Sequence, residues 1–296
     1  MLLGEHAVLH GREALVTAVN RRVEVILQPR DDGDVVIHSA LGHYRGPLSK
    51  LQIEPPFRFI LAALSEQSTL LPGGVDLTVR SEFSDKVGLA SSAAVTVATH
   101  AALESLATDR PPEPETVFER ALGTIRSVQG MGSGADVAAA VWGGTVAYRA
   151  EPRSIRRLRS LCPLTVVYSG GKIPTPEVVR RVEEARLARP EEFERIFDEM
   201  EQAVEEACCA LAEVDVDWST LGGALDRGQS LMEELGVSNL ALEDLIAQLR
   251  ADPDIHGAKI SGAGLGDCVV GLGRLSGAST MDVVDVNSAS EGMRCD

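Results

Sequence analysis

Residues 87–103 read VGLASSAAVTVATHAAL. One glycine, several small side chains and two serines stand ahead of a long apolar run. The first N–H groups of a helix have no partner within it, so a start built from small residues leaves those donors open to an approaching anion. The helix dipole adds to that attraction. The pattern predicts a tight turn and then a helix over about residues 91–107. Taken alone, these residues leave two readings open: a well-packed turn, or a loop that cradles phosphate.

The rest of the chain narrows the class of molecule. It has 296 residues, enough for one large domain or two smaller ones. Apolar residues make up 44% and charged residues 24%, the balance of an ordinary globular protein. A formal net charge of −16 argues against a nucleic-acid or anionic-membrane surface, both of which recruit basic faces. It leaves room for a phosphorylated ligand held by a few local groups. The five cysteines (Cys162, Cys208, Cys209, Cys268 and Cys295) show no CxxC or His-paired spacing, which fits a reducing cytoplasm better than a disulfide framework or zinc site. Neither a signal-peptide pattern nor an apolar run of about 18 residues is present, so a cytoplasmic protein is expected.

Working outward, ALVTAV, RRVEVILQP, DVVIHSA and VDLTVRSEF read as short strands separated by DDGD and LPGG turns. PETVFERALGTIRSV and ADVAAAVW read as helices, and TVAYRA and LTVVYSGG as strands. Residues 176–251 are strongly helical, and Phe193, Ile196, Phe197, Met200, Val204 and Cys208 fall at helical spacing as a core stripe. KISGAGLGDCVVGLG reads as strand, turn, strand. The fold class expected is α+β: a strand-rich N-terminal domain over 1–160 with helices on one face, and a helix-rich C-terminal domain over 161–296. The arginines Arg153, Arg156, Arg157 and Arg159 read as a solvated loop. His10, His38, His43, His100 and His256 read as structural or surface residues.

Three glycine-bearing stretches, GEHAVLHG (4–11), VGLASSAA (87–94) and KISGAGLGDC (259–268), are each weak signals. None fits the Rossmann or Walker patterns. In this order and spread over residues 2–273, they resemble the three signature motifs of the GHMP small-molecule kinases, and GMGSGADVAAAVWGG (130–144) resembles that family's aspartate-bearing segment. Within the family, GEHAVLHG and the GSGAD spacing resemble the mevalonate kinases most. Lys86, VQG before GSG, and Asp267-Cys268 lean to the phosphomevalonate kinases, which stand second.

The resemblance implies the GHMP kinase fold and phosphoryl transfer from ATP with Mg2+ to a small-molecule hydroxyl. It implies Asp136 as the catalytic residue, with a helix cap as the alternative role. It implies nucleotide contacts at Gly88, Leu89, Ala90, Ser91, Ser92, Ala93, Gly262, Ala263 and Gly264, with Ser92 also on the metal. Substrate contacts are implied at Glu5, His6, Ser133, Thr175 and Gly264. The partner expected is a small-molecule substrate, with no nucleic acid and no membrane, and a homodimer is left open.

Four departures accompany the match. The family's lysine motif would precede Met1, which leaves a nucleotide-binding module without turnover as a second reading. The acidic residue that mevalonate kinases hold eleven positions before the aspartate falls here at Ile125. Ala90 and Leu265 replace family glycines, and both are expected to be tolerated.

Overall fold

In DVVIHS and GVDLTV the apolar residues Val35 and Ile37, and Val75, Leu77 and Val79, stand two apart, and an extended chain turns such residues to one side. The computed structural model describes residues 1–71, 73–82, 88–108 and 110–295; Lys86 and Val87 lie outside them. In chain order the first strands are β1 (Ala14–Thr17), β2 (Val23–Arg30), β3 (Asp34–Ser39), β4 (Gly42–Pro47) and β5 (Gly74–Ser81). They are followed by β6 (Thr145–Arg149), β7 (Ser154–Leu158), β8 (Leu164–Tyr168), β9 (Ile255–Ser261), β10 (Cys268–Gly273) and β11 (Val283–Val284). The helices are α1 (Arg58–Glu66), α2 (Ser91–Thr108), α3 (Pro114–Gln129) and α4 (Ala135–Trp142), then α5 (Thr175–Ala188), α6 (Pro190–Ala212), α7 (Trp218–Glu234) and α8 (Leu240–Arg250).

These elements fall into two compact units that do not follow chain order. One contains residues 1–20 and 143–291 together with Gly88, the other the described residues of 21–82 and 89–142 with 292–295. The division expected at 160/161 follows the sequence; the packing assigns β1, β6 and β7 to the same unit as α5–α8.

The unit built from 21–142 carries a four-stranded sheet in the order β2-β5-β3-β4, antiparallel except for the parallel β3/β5 pair. Val35, Ile37, Val75 and Leu77 face α1 and Leu103 of α2 in one core. The same helices, with α3, carry a polar chain whose central members, Gln67, His100 and Thr124, are buried. The Arg120 guanidinium donates to Gln67 Oε1 (2.8 Å), and Gln67 pairs through its amide nitrogen with His100 Nδ1. His100 Nε2 then donates to Thr124 Oγ1 (2.8 Å), and the Thr124 hydroxyl donates to Glu66. A guanidinium can only donate, so the direction of every later link follows: His100 is neutral with its proton on Nε2. Burial, and then Arg120, push its pKa down to about 4. His38 and His43 are not isolated either, since they pair across the β3/β4 hairpin.

The other unit has two antiparallel sheets, β1-β6-β7 and β11-β8-β10-β9. The expected stripe on α6 is buried throughout, and Phe193, Ile196, Phe197 and Met200 share a core with Val167, Val269 and α7–α8 residues. The arginine run, expected as a solvated loop, is largely strand β7. There Arg156 pairs with Glu13 (3.4 Å) and Arg157 donates to the Ser290 carbonyl. All five cysteines are free. Among the described residues, no helix is long and apolar enough to cross a membrane.

Candidate active site

Left-handed backbone is strained for any residue with a Cβ. Among the described residues, the non-glycine positions that adopt it are His6 (φ 61°), Ala90 (φ 56°), Leu265 (φ 59°) and Asp267 (φ 72°). One lies in GEHAVLHG, one in the 87–94 stretch and two in GAGLGD. Strain of this kind persists where surrounding structure over-determines the backbone, and it concentrates at functional sites. Ala90 and Leu265 are the two positions where glycine was expected, and their φ values explain why glycine suits them.

In the unit of residues 21–142, Leu89 and Ala90 lead into α2, and the Ala90 carbonyl takes the Ala94 N–H (3.1 Å) as the first turn closes. Helix geometry leaves the N–H groups of Ser91, Ser92 and Ala93 without an intrahelical partner. Ser91 and Ser92 are half-buried, whereas Ala93 is buried. The Thr96 hydroxyl donates to the Ser92 carbonyl (2.6 Å), which fixes that turn and leaves the Ser92 side-chain oxygen unspent by it. α2 packs on α4, whose first turn carries Asp136 with its side chain exposed. The Asp136 carboxylate does not cap α4. Ser133 Oγ accepts the Ala135 N–H (3.3 Å), and the Gly134 carbonyl accepts that of Ala138 (2.8 Å). Ile125 is buried in the core against Gly132, so no acidic group stands at that position.

In the other unit, residues 4–6 are joined to the end of β9. The ammonium of Lys259 donates to Glu5 Oε1 (2.5 Å) and to the Ile260 carbonyl, with both side chains out of contact with water. His6 is buried, and its Nε2 lies 2.8 Å from the Ala263 carbonyl. A carbonyl only accepts, so Nε2 carries the proton and Nδ1 is a bare lone pair. That Nδ1 is buried with no partner. Burial lowers the His6 pKa against the opposing pull of the Ala263 carbonyl and Glu5. Burial also lowers the Lys259 pKa, opposed by Glu5. The carboxylate of Glu5, expected to line the substrate site, is therefore committed to Lys259.

The glycines have local reasons. A Cβ on Gly264 (φ 94°) would collide with the Val237 carbonyl, and one on Gly88 with the Asp267 carboxylate. Asp267 also pairs with Lys172 (3.4 Å). Burial drives the neighbouring Cys268 thiol up to about 12, which makes it inert. Gly262 turns at φ 100° with open space around it. Thr175 is exposed as the first residue of α5, next to Pro174. The structure thus groups Glu5, His6 and Ala263 with Lys259, and Gly88 with Asp267. Ser91, Ser92, Ser133 and Asp136 belong to the other unit. Lys259 and Asp267 are the additions that sequence reasoning passed over as site residues.

Two family models match, the GHMP kinases N-terminal domain over residues 57–144 and the GHMP kinases C-terminal domain over 200–280. A mevalonate kinase of Aeropyrum pernix is 31% identical over 282 residues, covering 92% of this chain and 85% of the relative. One from Archaeoglobus fulgidus is 32% identical over 302 residues, covering 99% and 96%. The chain belongs to the GHMP kinase family. The kinase also shares its fold with the solved L. major mevalonate kinase in complex with R-mevalonate, at TM-score 0.75 and 26% identity over 93% of this chain and 85% of that one. As a GHMP kinase it is a phosphotransferase that draws on ATP. Its strained residues fall in the stretches that carried the resemblance.

Proposed function

We propose that this kinase transfers the terminal phosphoryl group of ATP to the primary hydroxyl of mevalonate, giving 5-phosphomevalonate for isoprenoid synthesis. The observation that carries this reading is the near-full-length identity of 31–32% to two curated mevalonate kinases. Phosphoryl transfer asks for positioning and charge stabilisation more than for covalent chemistry by the protein.

On this reading, the open N–H groups at the start of α2 and the hydroxyls of Ser91 and Ser92 hold phosphate oxygens. Gly88 keeps the backbone bare, and Gly262, Ala263 and Gly264 supply a second stretch of small residues for the nucleotide. Bound magnesium neutralises charge on the phosphates, and Ser92 Oγ is a hard oxygen donor of the type it prefers. Asp136 accepts or orients the proton of the acceptor hydroxyl, a role for which an exposed carboxylate with no capping duty is free. Ser133, Thr175 and the bare Nδ1 of His6 offer polar contacts to the acceptor.

The test is coupled ADP release with mevalonate, 5-phosphomevalonate, homoserine and galactose as acceptors. Mevalonate should give the highest kcat/KM. Preferential turnover of 5-phosphomevalonate would move the kinase to the branch that Asp267-Cys268 favours. Nucleotide binding with no turnover of any acceptor would leave a binding module.

A further inference from the structure

Lys259 is fully buried, and so, at 3% exposure, is Glu5. Taking two charges out of water costs more than their attraction commonly returns, and apolar residues of similar volume often serve stability as well or better. The fold nevertheless makes room for this pair. On α7, Gly228 has no side chain; a Cβ there would stand 2.6 Å from Leu3 Cδ2 and 3.4 Å from Lys259 Cε. Gln229, the next residue, accepts the Ile260 N–H (2.9 Å) and pins the strand beside the ammonium.

The pair lies one residue from His6 on one side and four from Ala263 on the other. Those two residues make the second join, through Nε2–H and the carbonyl. Segment 5–6 is therefore clasped to segment 259–263 at two points, and the strained φ of His6 is held between them. We infer that Lys259 is a positioning residue: its contact with Glu5 sets the His6 ring against Ala263 and thereby fixes the conformation of the GAGLG loop. This rests on the kinase reading above, in which that loop meets the nucleotide.

The full chain can test this with Lys259→Met, Glu5→Gln and the double variant. Lys259→Met alone strands a buried carboxylate and is expected to lower Tm. The double variant leaves no orphan charge, so its Tm should return towards the parent's while the clasp stays broken. If Lys259 positions the loop, the double variant should lose about 10-fold or more in kcat, the scale of a small misplacement. Its KM for mevalonate should change less than about threefold. The 15N resonances of the His6 ring should also leave the Nε2–H pattern of the parent. A double variant with parental kcat and parental His6 resonances would overturn the inference and leave a purely structural ion pair. Should the parent itself fail to turn over mevalonate, the proposed acceptor is wrong. The His6 resonances and the calorimetric affinity for ATP-magnesium would then decide the clasp alone: both altered supports it, both parental overturns it.

Discussion

Asp136 and Ala90 show how single positions divide between chemistry and folding. Because Ser133, and not the Asp136 carboxylate, takes the Ala135 N–H at the start of α4, Asp136→Asn should cost little stability, at most the ~0.3–1 kcal/mol of a charge near a helix N-terminus. If its carboxylate accepts or orients the acceptor proton, kcat should fall by about 10²-fold or more with ATP affinity nearly unchanged. Steady-state kinetics beside calorimetry separates these outcomes, and a variant that retains most of its turnover removes Asp136 from the reaction. Ala90 tests the strain. Glycine there relieves the left-handed penalty of ~1–2 kcal/mol and pays back ~0.5–1 in chain entropy, so Ala90→Gly should stabilise by up to about 1 kcal/mol in urea unfolding. A destabilised Ala90→Gly would mean that the Ala90 methyl packs more favourably than its φ suggests. The sequence exposed both positions through their neighbours, since small residues and an acid before an apolar helix form a local pattern. It hid Lys259, because a lysine in a strand reads as solvent-facing, and its partner stands 254 residues away along the chain.

At the scale of elements, legibility followed burial. The α6 stripe repeats at helical spacing because one face meets a core, so it could be read directly. β4 and β7 escaped because each lies at the edge of its sheet, where water faces the strand and GHYRGP or SIRRL need not alternate. α1 escaped because its apolar run, FILAAL over 59–64, is too short to separate helix from strand by period. The three helices α1, α2 and α3 are bound together by the Arg120-Gln67-His100-Thr124-Glu66 chain, and this gives the unit a pH dependence. The unfolded chain protonates His100 near its ordinary 6.5, while the folded chain resists until about 4. The unfolded state therefore holds more protons in that window, and stability must fall as pH drops from 6.5 to 4, by about 3 kcal/mol in all. The lowered pKa of His6 acts in the same direction. In His100→Gln the slope of stability against pH over this window should flatten, whatever the variant's absolute stability. An unchanged slope would show that His100 is not the group that titrates.

For the whole molecule, the division into units was the least legible feature. Residues 1–20 and 143–160 are joined to each other by the antiparallel pairing of β1 with β6, and β1 and β7 pack on α6, contacts that no local pattern announces. Net charge, by contrast, is complete in the sequence, and it sets a kinetic expectation. A chain of formal charge −16 repels an anionic nucleotide at long range, while the start of α2, in the phosphate-binding role proposed for it, would attract phosphates only within about one helical turn. Salt at 0.15 M shortens the screening length to about 8 Å from about 30 Å at 0.01 M, which removes the long-range repulsion before it removes the short contacts. The association rate of ATP-magnesium should therefore rise with salt over this range, by up to about tenfold, and the dissociation rate should rise more modestly as the phosphate contacts weaken. Stopped-flow binding at several ionic strengths separates the two rates. An association rate that falls as salt is added would mean that local cations dominate the approach, and Lys172, beside Asp267, would be the first residue to neutralise in search of them.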